Sequence, residues 1–173
     1  KIDGEWQFWD AEWFGQENPL TTDSNGFYQW DVPEGKWQVM YQKEGYETAF
    51  SEELPVPPPQ LEVNIGMVSY ASPQLIEASP DPEGIINLKF DKYMKTDTVN
   101  NSTVKVYEKT TDETGKKVEI AGIITAIDAE ANPKNEGSML ARTFKFTPDT
   151  PLNTGDTCSL WVSTMTSSYA GST

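Results

Sequence analysis

Apolar and polar residues alternate along this chain in short runs separated by turn residues. Residues 36–42 place Trp37, Val39 and Tyr41 on one side. Residues 61–67 do the same with Leu61, Val63, Ile65 and Met67, and residues 85–90 with Ile86, Leu88 and Phe90. Residues 142–147 alternate until Pro148 stops them. A period of two marks a strand with one buried face. Shorter strand-like runs fall at 5–9, 27–32, 74–78, 103–107, 118–120, 123–127 and 158–163. Turn signals stand between them: Asn25-Gly26, Pro33-Glu34-Gly35, Glu44-Gly45, the 79–84 segment, Gly115 and the 132–137 loop. No long stretch repeats at helical spacing, so the pattern predicts an all-β chain. Residues 54–60 carry Pro55, Pro57, Pro58 and Pro59. Prolines cannot donate to a central ladder, which makes this piece an edge or an extended connector. The functional alternative is a proline-rich ligand for an SH3-like partner.

Charge and aromatic content step along the chain. Residues 1–70 hold 13 acids and 3 lysines, a net of −10, while residues 71–173 hold 14 acids and 10 bases, a net of −4. Five of the six tryptophans (Trp6, Trp9, Trp13, Trp30 and Trp37) lie in the first part. The step predicts two domains, 1–70 and 71–173, joined near residues 69–73. Roughly seven short strands over about 100 residues in the second part match a β-sandwich of immunoglobulin type. The fold class expected is therefore all-β, with two tandem β-sandwich domains.

The overall balance excludes several functions. A net charge of −14 disfavours nucleic acid and anionic membrane surfaces, which are held by Lys and Arg. With no histidine, a Ser-His-Asp triad, a Cys-His pair and a His-ligated zinc site are excluded. Cys158 is the single cysteine and has no internal disulfide partner. No apolar run approaches the roughly 20 residues of a membrane span. The chain opens at Lys1 without a leader pattern, as expected of a piece excised from a longer protein.

Three spaced motifs in the first part carry a resemblance. Thr22-Asp23-Ser24-Asn25-Gly26-Phe27-Tyr28, then Val32-Pro33-Glu34-Gly35-Lys36-Trp37, then Gly45-Tyr46 resemble the carboxypeptidase regulatory-like (transthyretin-like, prealbumin-like) β-sandwich. The match covers about residues 19–67. The usual opening strand of that family is not recognisable before Asn18, where Trp-rich sequence stands instead. In the second part, Ser72-Pro73, the run Ile86-Asn87-Leu88-Lys89-Phe90-Asp91-Lys92-Tyr93-Met94, and Thr147-Pro148 with Pro151-Leu152 and Gly155 look like the bacterial Ig-like domains of surface proteins. Both resemblances imply non-catalytic tandem modules in secreted or wall-attached Gram-positive proteins. They imply no cofactor and an extracellular, cell-surface location.

Candidate chemistry is sparse. Asp10 with Glu12, or Glu52 with Glu53, are the carboxylate pairs that a glycosidase would need, although in so acidic a chain neighbouring acids arise by chance. Asp23-Ser24-Asn25-Gly26 opens like an oxygen-ligand loop for calcium, and Glu34 falls at the twelfth position. The intervening 27–32 run reads instead as a strand. Lys1 or Lys36 with Asn64 is the pair that an isopeptide cross-link would join. The expectation is that the chain is not an enzyme and holds no metal.

The N-terminal aromatics are the most informative residues. Trp6, Phe8, Trp9, Trp13 and Phe14 place five large rings within nine positions. Trp30 and Trp37, on predicted strands, are expected in the core. Rings of the N-terminal cluster left exposed would form a recognition patch, since Trp is a favoured interface anchor. The expected job is binding an extracellular protein, with host antibodies and mucosal proteins among the partners that an adhesin of this kind would meet, or spacing other domains. The alternative is a carbohydrate-binding module that stacks sugars on an exposed tryptophan platform, with Asp10, Glu12 and Gln16 bonding hydroxyls.

Overall fold

The computed structural model describes residues 1–153 and 155–173. Thr154, inside the 147–155 run used above, lies outside the described residues. Regular structure among the described residues is strand, apart from 3-10 turns at Glu12–Phe14 and Thr96–Thr98. The chain is all-β with several sheets and divides into two compact units, Lys1–Val68 and Ser69–Thr173.

In the first unit β1 (Gly35–Trp37) pairs with β4 (Leu54–Val56), and β2 (Met40–Tyr41) pairs with β3 (Ala49–Phe50), both antiparallel. The two ladders are pieces of one hairpin interrupted at Ser51. The Ser51 N–H donates to the Val39 carbonyl at 2.9 Å, and the Ser51 Oγ accepts the Val39 N–H at 2.9 Å. One buried hydroxyl thus replaces the ladder bond lost where the strands slip register. Pro55 stands opposite Lys36 in an outer strand of this pair, where a missing donor is tolerated.

Three runs expected as strands in this unit, 5–9, 27–32 and 61–67, form no ladder. Their alternation is real: Tyr28, Trp30 and Val32 are half-buried between exposed neighbours, as are Val63 and Ile65. Leu61 instead faces solvent. Any extended chain alternates its side chains, whereas a ladder also needs a neighbour with free backbone groups in register. A short turn that the sequence analysis passed over closes residues 2–5. Asp3 and Gly4 take φ of 49° and 87°, and Ile2 and Glu5 exchange two backbone bonds of 2.9 Å. Asp-Gly is the dipeptide that supplies this pair of positive φ angles.

The second unit is built from two sheets. One has the order β10-β11-β6-β5, from β5 (Leu75–Pro80), β6 (Ile86–Lys95), β10 (Glu130–Ala131) and β11 (Met139–Pro148), with β9 (Gly122–Ile127) also on β11. The other has the order β12-β7-β8, from β7 (Val104–Thr111), β8 (Lys117–Glu119) and β12 (Cys158–Val162). Inward side chains of both meet in one core. Leu88, Phe90, Met94, Val104, Val106, Ala141 and Phe144 are its most buried members, and Phe90 meets Phe144 edge-on at 5.9 Å. Two faces sharing one apolar layer is compatible with a β-sandwich. A bulge between Ala141 and Thr143 lets Ala141 and Phe144, three residues apart, both join this core, while Arg142 is exposed and bonds the Asp91 carbonyl at 2.8 Å.

One turn recurs three times, at Asp23, Asp81 and Asp112. In each, Oδ1 accepts the N–H groups two and four residues on, at 2.8–3.0 Å. In each, a glycine three residues on has φ of 79–81°. The carboxylate satisfies amides that the turn leaves unpaired, and glycine takes the left-handed position at no steric cost.

Candidate functional site

The N-terminal aromatics split into packed and exposed groups. Trp9 is half-buried, with its ring edge-on to Trp37 at 5.4 Å and tilted against Phe14 at 5.4 Å. Two residues on, Ala11 is 3 % exposed and anchors the segment. Polar side chains pin the segment to its neighbours. The Gln16 amide donates to the Asp31 carbonyl at 2.7 Å and accepts the Asp31 N–H at 2.8 Å. Asn18 donates to the Trp9 carbonyl at 3.0 Å, and Trp30 Nε1 donates to the Glu17 carbonyl at 2.7 Å. The 9–19 segment therefore lies over residues 28–37, and Trp30 and Trp37 are both half-buried.

The rest of the cluster faces water. Trp13 is 86 % exposed and Phe8 84 %, while Phe14 and Trp6 are about half exposed, at 51 % and 43 %. Trp13 and Phe14 ride on the 3-10 turn Glu12–Phe14, which the left-handed Gly15 (φ 64°) terminates. The Lys1 ammonium lies 5.2 Å from the Trp6 ring centre. The five residues singled out from the sequence are thus not one surface: Trp9 is part of the unit's packing, and Trp13 and Phe8 are free.

Beside the packed Trp9 runs a cleft of about 310 Å³, lined by Trp9, Asp10, Ala11, Glu12, Gln16, Glu17, Asn18 and Pro19. The Trp9 Nε1 is buried without a hydrogen-bond partner. Asn18-Pro19 reads from the sequence as the start of a turn, and neither it nor Glu17 is expected there at the site. Their signal was the amide-rich run that follows the aromatic cluster.

The other candidates are placed as follows. The Asp23 carboxylate, proposed for calcium, spends Oδ1 on the Asn25 and Phe27 amides of its turn. The Lys1 and Lys36 ammonium groups both reach Glu53, at 3.3 and 2.5 Å, and not the Asn64 side chain. The Lys36 bond, then the Lys1 bond, holds the Glu53 carboxyl below its usual range. Of the carboxylate pairs, Asp10 Oδ1 accepts the Glu12 N–H at 3.3 Å, and Glu53 is taken up by its two lysines. The Tyr28 and Tyr41 hydroxyls meet each other and the Val63 carbonyl. Burial, then the bond to Tyr28, pushes the Tyr41 hydroxyl well above its usual value.

No protein-family model, no curated protein and no solved structure matches the chain. What stands is an all-β architecture of several sheets with one unit whose aromatic surface is open.

Proposed function

We propose that the chain is a pair of tandem β-sandwich modules, transthyretin-like then Ig-like, from a bacterial cell-surface protein. Its task is recognition without catalysis, and it binds an extracellular protein through the exposed aromatics of the first unit. The observation that carries this reading is the exposure of Trp13 and Phe8 at more than four-fifths of their surface. Burying a free Trp or Phe against a partner removes a large apolar area from water, which is why such rings act as interface anchors. Four of the acids are taken up by structure: Asp23, Asp81 and Asp112 serve turns, and Glu53 serves an ion pair.

A glycan platform is the second reading. It is supported by the cleft, where the Asp10, Glu12 and Glu17 carboxylates stand beside Trp9 as hydroxyl partners, the Gln16 and Asn18 amides being bonded to the Asp31 backbone and the Trp9 carbonyl. Parallel screening on a glycan array and a panel of host secreted proteins, antibodies included, separates the two. Under the protein reading, Trp13→Ala and Phe8→Ala abolish capture of the protein ligand and no glycan is retained. Retention of a glycan that depends on the cleft residues, with no protein bound, replaces the first reading by the second.

A further inference from the structure

Three facts about the first unit point the same way. First, Lys1–Val68 buries few apolar side chains: Ala11 and Ser51 are its buried residues, and every member of the buried apolar cluster belongs to the second unit. A unit this size needs a well-filled core to be rigid. Second, its exposed rings include Phe8, Trp13, Phe14 and Phe27. Third, 13 acids face only 3 lysines in it. Those three lysines are engaged elsewhere: Lys1 and Lys36 on Glu53, and Lys43 over the Tyr46 ring at 4.8 Å. Among the described residues no ion pair reaches Asp10, Glu12 or Glu17, the carboxylates of the cleft wall. The turn that carries Trp13 and Phe14 also supplies Glu12.

We infer that the occupant of this surface is a cationic polypeptide with an apolar face, and that its docking orders the first unit. The inference rests on the protein-binding reading and narrows it. Apolar side chains of the partner cover Trp13 and Phe14 on the Glu12–Phe14 turn and add to the thin core, while its Lys or Arg groups neutralise Asp10, Glu12 and Glu17. Uncompensated carboxylates beside a weakly hydrated surface attract cations over roughly a Debye length, which raises the association rate and selects partners by sign. The same charge argues against a second copy of this chain, because two surfaces of net −10 repel.

The test uses the whole 173-residue chain and three synthetic peptides of equal length. One alternates Lys with Val and Tyr, the second replaces each Lys by Glu, and the third replaces the apolar residues by Ser. Binding is read by tryptophan fluorescence, and ordering by amide hydrogen exchange of residues 1–68. The expected result is binding of the Lys/apolar peptide alone, with slower exchange in the first unit. Affinity should fall about tenfold or more between about 0.1 and 1 M salt, as the Debye length drops from about 10 to about 3 Å. Trp13→Ala and the triple change Asp10→Asn, Glu12→Gln, Glu17→Gln should each weaken binding about tenfold or more. Trp161→Ala, at an exposed ring of the second unit, should leave it unchanged.

Equal binding of the Lys/Ser peptide overturns the inference, since charge alone then suffices. So does Trp13-dependent binding of the Glu peptide, which would leave the protein-binding reading standing and remove only the cationic partner. Failure of all three peptides overturns the inference, and if the protein panel also fails, the protein-binding reading falls with it. Concentration-dependent dimerisation through Trp13 overturns it in favour of a second copy.

Discussion

Trp9→Ala and Trp13→Ala make a matched pair, four residues apart on one segment, that tests how the aromatic cluster is divided. Truncating a fully buried aromatic costs about 3–5 kcal/mol. Trp9 is only half-buried, so its transfer contribution is smaller, but it also loses ring contacts with Trp37 and Phe14, each worth about 0.5–1.5 kcal/mol. The expected cost is about 2–4 kcal/mol, a large fraction of the stability of a small unit. Trp13 is 86 % exposed and has no ring contact among the described residues, so Trp13→Ala should fall within about 0.5 kcal/mol of the parent. The assay is urea denaturation of the full chain. Near-ultraviolet circular dichroism reports the tryptophan-rich first unit, and the two units are fitted as separate transitions. A Trp13→Ala variant destabilised as much as Trp9→Ala would refute the division, because both rings would then be packing residues and the exposed anchor would vanish.

Further outcomes concern the frame around the site. Phe144→Ala removes a fully buried ring and its edge contact with Phe90. It should cost the second unit about 3–5 kcal/mol by thermal or urea melts. Gly122→Ala places a Cβ 2.5 Å from the Thr147 carbonyl oxygen and 2.6 Å from the Phe146 ring; overpacking there should cost about 1–3 kcal/mol, and an unchanged melting temperature would show that β9 can shift freely. The Asp112 carboxyl is held below its usual value of 3.8 by its bond from Thr114, then by the Lys116 amide. Its stabilisation is present above that value and lost as pH falls toward the lowered one, so Asp112→Asn should flatten the acid limb of the stability profile. The Tyr41 hydroxyl is pushed above its usual 10.0 by burial and by Tyr28. Stability from this group is present below 10.0 and declines as pH rises past it, because only the unfolded chain ionises readily. Tyr41→Phe should remove that part of the alkaline loss, as read by melts between neutral and strongly alkaline pH.

Period-two alternation with β-branched and aromatic residues is a local property, so it located the strands of the second unit: each run singled out there overlaps an observed strand. It did not set their lengths. Ile86–Lys95 and Met139–Pro148 run well past the alternating cores of 85–90 and 142–147, because neighbouring strands continue to offer backbone partners, as at Met94 opposite Ala141. The bulge at Ala141 reverses the parity that a count along the chain would assign to Arg142. The Asp-x-x-Gly turns at 23, 81 and 112 were equally local, since one side chain and one glycine make each of them.

The first unit shows the opposite balance. Residues 27–32 and 61–67 alternate like strands yet form no ladder among the described residues. Sequence alone fixed the residue types of the N-terminal segment: five large rings among acids, with a net charge that limits its partners. Which ring is core and which is surface was decided by tertiary contacts. Trp9 is held because Trp37 and Phe14 stand beside it and Ala11 seats the backbone, while Trp13, four residues on, rides on a single 3-10 turn and is 86 % exposed. Burial is a property of what packs against a side chain, and those neighbours come from parts of the chain that local spacing does not bring together.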